Sequence, residues 1–331
     1  MTSKMKLQHL TNEMRSKSRE QYERVYGVLP QKPLHLYSKT KASDRGFARG
    51  RATLNECVLI IELENRTITL PYKSVVPSGE ESCPAIISLE YEKTLPNRFL
   101  PAEEIVDRGY AIFSIHIDDI SSINESFKPG ISTYIYGSRK KKSSPGKIAL
   151  WAWAAVRMAE HLSSLDTIDS ERIIVSGHGI MARSALLASA YTDNIGYIIA
   201  NNPSVNPTPY CNEKPKSGLT VCDFPYLYSP AFAEDPDTDE LELLFLAAEG
   251  KHLLVGSAEE SDYSCECKKL LNLIENKANS GKSYSITDKN IIPTAPLRII
   301  TDSISYHIRV GTEYFSREDW NIYLDYIDSK R

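Results

Sequence analysis

Short apolar runs and amphipathic stretches alternate along this chain from about Pro84 onward. "PAIISLEY" and "YAIFSIHI" are unbroken apolar runs of the length expected for strands buried on both faces. Between them, "PAEEIVDRG" has Pro101 near a helix start and Gly109 just past its end, which predicts a short helix. In "GKIALWAWAAVRMAEHLSSL", Ile148, Trp151, Ala155, Met158 and Leu162 recur at helical spacing and form an apolar face. Trp151 and Trp153 are therefore expected in the core or at its boundary, not as a binding platform. Further on, "RIIVSGHG", "IGYIIANNPS", "HLLVGSAEE" and "RIITDS" predict strands. "IMARSALLASAYT", "DELELLFLAA", "CECKKLLNLIENKA" and "SREDWNIYLDYI" predict helices.

The first quarter of the chain has a different pattern. Lys4 to Tyr26 is rich in helix formers and stops at Gly27 and Pro30. "NECVLIIEL" and "RTITLPYKSVV" are β-branched runs joined at Glu64-Asn65, a hairpin signal. The order implies one α/β domain over 1–331. A helical extension (1–30) and antiparallel strands (31–80) lead into a doubly wound core (84–331), a mostly parallel sheet with helices on both faces.

Composition narrows the function classes. A net charge of −4 over 331 residues gives no global reason to expect nucleic acid as partner. No run approaches the roughly 20 apolar residues that a membrane-spanning helix needs. Met1 to Gln21 is polar and lacks the apolar core of a secretory signal, so a cytoplasmic location is expected. The six cysteines (Cys57, Cys83, Cys211, Cys222, Cys265 and Cys267) contain no CxxC pair and are expected as free thiols. Asp118-Asp119 after His116 could lean toward a metal, but adjacent aspartates commonly just end a strand in solvent. No metal or cofactor is expected. The run Arg139-Lys140-Lys141-Lys142 is expected to be a solvated loop, with contact to an anionic ligand or a partner as the alternative.

The candidate chemistry lies where "RIIVS" meets "IMARSALL". The turn reads Gly177-His178-Gly179-Ile180-Met181-Ala182. A strand entering a sharp glycine-bounded turn and leaving as a helix has the layout of a nucleophile elbow, G-x-S-x-G. At its tip a serine is lifted toward the substrate, and the following helix N-terminus helps to hold an oxyanion. Here the tip is Gly179, which has no side chain to attack a carbonyl. The alternative is a glycine-rich turn of any doubly wound fold, a nucleotide-binding turn among them.

The stretch from "GKIALWAWAAVRMAEHL" through "RIIVSGHGIMARSALL" to "IIANNPS" resembles the α/β-hydrolase carbohydrate esterases that include glucuronoyl esterases and acetyl-xylan esterase-like proteins. "YERVYGVLP", "AEEIVDRGYAIFSIHIDDI", "HLLVGSAEESDY" and "ISYHIRVGTEYFSREDW" look like the same family, in the same order. The resemblance implies the α/β-hydrolase fold and an esterase site. The family's elbow, Gly-His-Ser-Arg-x-Gly-Lys, places its serine on Gly179, its oxyanion-side arginine on Ile180 and its lysine on Arg183. The family's histidine segment, Arg-x-Gly-x-His, matches Arg309 and Gly311 and places the histidine on Glu313. An acid seen in some members falls on Ser261, and another falls in the loop after "IIANNPS", where Glu213 is a loose candidate. His178 beside the tip and His307 match non-catalytic positions.

Both the nucleophile and the base are thus substituted. Triad members act as a unit, so loss of the nucleophile already removes most of the catalysis. The expected function is a degenerate esterase that keeps the crevice, lined by His178, Ile180, Arg183, Arg309 and Glu313, and binds a small sugar acid or ester. The alternatives are an active ester hydrolase with relocated residues and a non-enzymatic scaffold. In the first of these Ser176 or Ser184 would serve as nucleophile, Glu313 would activate water, and His116 or His252 would approach the top of the sheet.

Overall fold

The computed structural model describes residues 19–79, 82–128, 130–132, 141–203, 221, 223–236, 240–260, 270 and 295–330. Its strands are β1 (His35–Asp44), β2 (Ala52–Leu63), β3 (Arg66–Pro77), β4 (Cys83–Glu90), β5 (Ala111–His116), β6 (Ile168–His178), β7 (Tyr197–Asn201), β8 (His252–Ala258), β9 (Leu297–Ile300) and β10 (Ile304–Arg309). All ten share one sheet in the order β1-β2-β3-β5-β4-β6-β7-β8-β10-β9. The six from β5 to β10 run parallel, while β1, β2, β3 and β9 add antiparallel edges.

The helices are α1 (residues 19–26), α2 (Ala102–Asp107), α3 (Ile117–Ile120), α4 (Lys147–Leu162), α5 (Ile180–Ser189), α6 (Pro230–Glu234), α7 (Glu240–Ala247) and α8 (Arg317–Asp328). The chain has the predicted α/β-hydrolase architecture, and the sheet is covered on both faces. Side chains of α1, α4, α5 and α7 pack with Ile173, Val175 and Ile198 on one face. Side chains of α2 and α8 pack with Ile174, Ile112 and Ile199 on the other. The alternation of Ile173, Ile174 and Val175 between these two cores is the period-2 pleat of a strand buried on both sides. Trp151 and Trp153 are fully buried, as the α4 pattern predicts. Trp151 Nε1 donates to Ser121 O at 2.8 Å. The hairpin turn at Glu64-Asn65 forms as expected.

Three elements differ from the sequence expectation. β1 has no apolar run and stands largely exposed at the sheet edge, so its pairing with β2 leaves little periodic trace. "RIITDS" is an antiparallel edge strand, and the next segment, "ISYHIR", supplies β10, the parallel partner of β8. A single helical turn, α3, interrupts the expected loop after β5. The predicted helix "CECKKLLNLIENKA", apart from the helical Leu270, and most of Lys4 to Tyr26 lie outside the described residues.

The chain runs from β4 to β5 on one side of it and then crosses back over β4 to β6 on the other. The carboxyl ends of β4 and β6 therefore flank the switch point, where open α/β sheets form their binding crevice.

Candidate active-site crevice

β6 ends at His178, and α5 starts at Ile180. Between them Gly179 has φ 59° and ψ −122°, a conformation that strains any residue with a side chain. Its amide donates to Asn201 O at 2.9 Å, and its carbonyl accepts from Ala182 N at 3.1 Å. The strained tip is thus pinned to β7 on one side and to the helix on the other. Gly177 is required for a different reason. A Cβ there would lie 2.3 Å from the carbonyl carbon and oxygen of Met181, so only glycine lets β6 and α5 approach this closely. The turn has the layout of a nucleophile elbow with hydrogen as the side chain at its tip.

His178 lies beside the tip and is held on three sides. Its ring stacks between Phe99 and Phe315 at centroid distances of 5.7 and 6.0 Å, and Nδ1 lies 2.8 Å from Asn201 Oδ1. Burial lowers its pKa, against an opposing pull from Asn201 and the more distant carboxylates Glu313 and Asp319. The imidazole is therefore neutral near pH 7 and locked by stacking, which suits a structural role.

The end of β4 supplies two residues that the sequence analysis did not single out. Glu90 is buried; burial raises its pKa to about 7, although Ser88 and Asn97 hydrogen-bond the carboxylate and pull it down. Ser176 Oγ donates to Ser88 Oγ at 3.0 Å, Ser88 Oγ donates to Glu90 Oε1 at 2.5 Å, and Asn97 Nδ2 donates to Glu90 Oε2 at 3.0 Å. Tyr91 places its hydroxyl against the elbow, donating to His178 O at 3.0 Å. The sequence signal was present: "ISLEY" closes an apolar strand run on an acid and a phenol at a carboxyl end.

Glu313 is exposed, in a loop fixed from below. Arg309 Nη2 donates to Thr312 O at 2.7 Å and to Tyr314 O at 2.5 Å. Arg309 Nε and His307 Nε2 both bond Asp319, at 3.0 and 2.7 Å. Burial raises the Asp319 pKa, but His307, the Ser316 amide and Arg309 outweigh it and hold the carboxyl below the usual range. Asp319 also closes the α8 capping box with Ser316. Arg309 and His307 thus position the loop that carries Glu313, and Asp319 is the hub of that network.

Other candidates sit elsewhere. Arg183, expected to line the crevice, is buried in an ion pair with Glu240 and donates to Pro203 O at 3.1 Å. Its charge is paired inside the core with Glu240, the first residue of α7. Ile180 is buried, with its backbone amide at the helix start. Ser176 is consumed by Ser88, and Ser184 is fully buried more than a helical turn beyond the tip. His252 opens β8 at the opposite end of the sheet from the crevice, where it stacks on Tyr197. His116 does reach the crevice end, and its Nε2 lies 3.1 Å from Tyr91 O. Asp119 pairs with Lys93 at 3.0 Å, and no cluster of metal-ligating side chains occurs among the described residues. Lys142 pairs with Glu234 at 2.9 Å. Ser261, Glu213, Arg139 and Lys140 lie outside the described residues.

A family model described as glucuronyl esterase, fungi, matches residues 59–209, the stretch from the end of β2 through the elbow and β7. The structure superposes on a glucuronoyl esterase from Solibacter usitatus with a TM-score of 0.79 and 20% identity, covering 97% of this chain and 92% of that one. This chain has the glucuronoyl esterase fold. A glucuronoyl esterase from Teredinibacter turnerae gives a TM-score of 0.76 at 15% identity, covering 96% of this chain and 84% of that one. The enzyme from Sporotrichum thermophile gives 0.62 at 16% identity, covering 96% and 81%. In sequence, a carbohydrate esterase from an unknown prokaryotic organism is 21% identical over 243 residues, which are 68% of this chain. The match spans 55% of that relative's length. The chain is thus carbohydrate-esterase-like in sequence and fold, and its elbow tip is glycine.

Proposed function

We propose that this chain is a catalytically degenerate carbohydrate esterase that binds a small carbohydrate ligand in the crevice without turning it over. The observation that carries this reading is Gly179, which holds the strained elbow conformation with no side chain at the tip. A hydrolase of this layout needs a nucleophile there and a base within hydrogen-bond reach of it. The base position implied by the family resemblance is Glu313, and the one histidine beside the tip, His178, is neutral, stacked and bonded to Asn201.

An active hydrolase with a moved nucleophile would have to use Ser176 or Ser184. Both are fully buried, Ser176 beneath the sheet surface against Ser88 and Ser184 inside α5. Incubation with a serine-directed fluorophosphonate, followed by intact-mass measurement, separates the two readings. The degenerate reading predicts no adduct. An adduct that vanishes with Ser176→Ala or Ser184→Ala would establish the active alternative.

A further inference from the structure

A second cavity, of about 820 Å³, opens at the other end of the sheet from the crevice. It lies across the amino ends of β4, β6, β7 and β8, beside the carboxyl ends of α2 and α8. Its volume is that of a small-ligand site. Glycines keep it open: a Cβ on Gly109 or on Gly250 would meet nothing within 4 Å.

The polar groups on its wall are held in place and keep hydrogen-bonding capacity. Arg172 commits Nε to Asp169 Oδ2 at 2.6 Å, and Asp169 Oδ1 accepts from Glu171 N at 3.1 Å. Arg108 commits Nη2 to Asp325 and Asp328, at 2.9 and 2.5 Å. A guanidinium has five N–H donors in a rigid fork, so both arginines are anchored with donors to spare. His252 supplies the complement. Tyr326 gives its one hydroxyl proton to Asp302 O at 2.9 Å, so in the 3.0 Å contact between that hydroxyl and His252 Nδ1 the ring is the donor. Burial and the Lys330 cation lower the pKa of His252, and the neutral ring carries its lone pair on Nε2. The exposed carboxylate of Glu171 is a second acceptor. The His252 ring also stacks on Tyr197, with 4.5 Å between centroids, which gives the wall a flat patch suited to the C–H face of a pyranose.

The charges on the wall are largely matched. Asp169 pairs with Arg172, Asp325 and Asp328 pair with Arg108, and Lys330 and Glu171 add one charge of each sign. A bound anion would meet the carboxylates of Asp169 and Glu171, and a bound cation would meet the guanidiniums and Lys330. Donors and acceptors side by side suit a group that does both, which is the property of a hydroxyl.

We propose that this cavity is a second binding site, for a neutral carbohydrate, at the end of the sheet opposite the crevice: spare N–H groups of Arg108 and Arg172 donate to sugar hydroxyls, and His252 Nε2 and the Glu171 carboxylate accept from them. The site is separate from the elbow and stands whether or not the crevice has lost its chemistry.

Backbone amide NMR with methyl β-D-glucopyranoside as the probe tests it. Gly196 and Gly250 report the cavity, and Gly179 reports the crevice. A saturable shift at Gly196 and Gly250, with a millimolar Kd, is expected. Glu171→Ala and Arg172→Met should each weaken that binding at least about fivefold, the weight of one hydrogen bond. Glu171 is exposed, so its variant guards against an Arg172 variant that does not fold. No shift at Gly196 and Gly250, or an unchanged Kd in either folded variant, would overturn the proposal. A shift at Gly179 alone would overturn it too, while favouring the crevice reading. Glucuronate and glucosamine put a charge of either sign on the same ring, and both should bind more weakly than the neutral sugar. Tighter binding of either would show an anion or a cation site instead, and an equal response to glycerol would show that no sugar ring is recognised.

Discussion

Replacing Gly179 with alanine isolates the conformational cost of the elbow. At φ 59° and ψ −122° a residue with a Cβ is strained by about 1–3 kcal/mol. Stiffening of the unfolded chain returns about 0.4–1 kcal/mol. The net expectation is a loss of about 1–2 kcal/mol. With a urea slope of about 3 kcal/mol per molar, the unfolding midpoint should fall by about 0.3–0.7 M. Two other glycines calibrate the result. Gly250 also has a positive φ, 79°, but a Cβ there meets nothing within 4 Å, so Gly250→Ala reports the left-handed backbone alone. Gly177→Ala drives a methyl to 2.3 Å from Met181 backbone atoms and should cost the most, because strand and helix must part. A Gly179→Ala midpoint at or above the wild type would refute the reasoning, since the turn would then relax freely and would not be an elbow. If the loss is found, a serine at the same tip must bear the same strain. A chain relieved of the chemistry gains stability from glycine there, an instance of the trade between activity and stability.

The buried carboxyl of Glu90 sets a pH dependence. Its folded pKa, about 7, lies above the ordinary value of 4.5, so the folded state holds the extra proton between these limits. Stability from this group is complete below about pH 4.5 and is lost as pH rises through 7, by on the order of 3 kcal/mol. Subtracting the urea stability of Glu90→Gln from that of the wild type across pH 4–8 should expose this slope; a flat difference would contradict it. Arg183→Met leaves the Glu240 carboxylate buried with only the Tyr26 and Tyr228 hydroxyls, at 3.2 and 3.1 Å. A loss of about 3–5 kcal/mol is expected in thermal or urea unfolding, partly recovered by adding Glu240→Gln. A loss below 1 kcal/mol would show that the pair is not a core element.

The parallel core was legible because its strands are buried on both faces and its helices are amphipathic. "PAIISLEY", "YAIFSIHI" and the α4 stripe carry those signals locally. β1 was not legible, since an exposed edge strand such as "HLYSKTKASD" is stabilised by its ladder to β2 and needs no apolar face. At the site, the elbow could be recognised from Gly177 and Gly179, because close approach and positive φ demand glycine. The burial of Arg183 is not legible because its partner, Glu240, is 57 residues away on another helix, and pairing across a fold leaves no spacing rule. Asp319 is not legible for the same reason, since it becomes notable only through His307 and Arg309, which the fold delivers, whereas Glu90 and Tyr91 leave a local signal at the carboxyl end of "ISLEY".

The central claim is tested most directly by hydrolysis of a methyl glucuronate ester by the wild-type protein, with Gly179→Ser beside it. Loss of an elbow serine costs about 10⁶ in kcat, and a serine restored without its base recovers little. The account predicts that neither protein exceeds the buffer rate. Wild-type turnover that saturates with ester and disappears in Ser176→Ala or Ser184→Ala would contradict it.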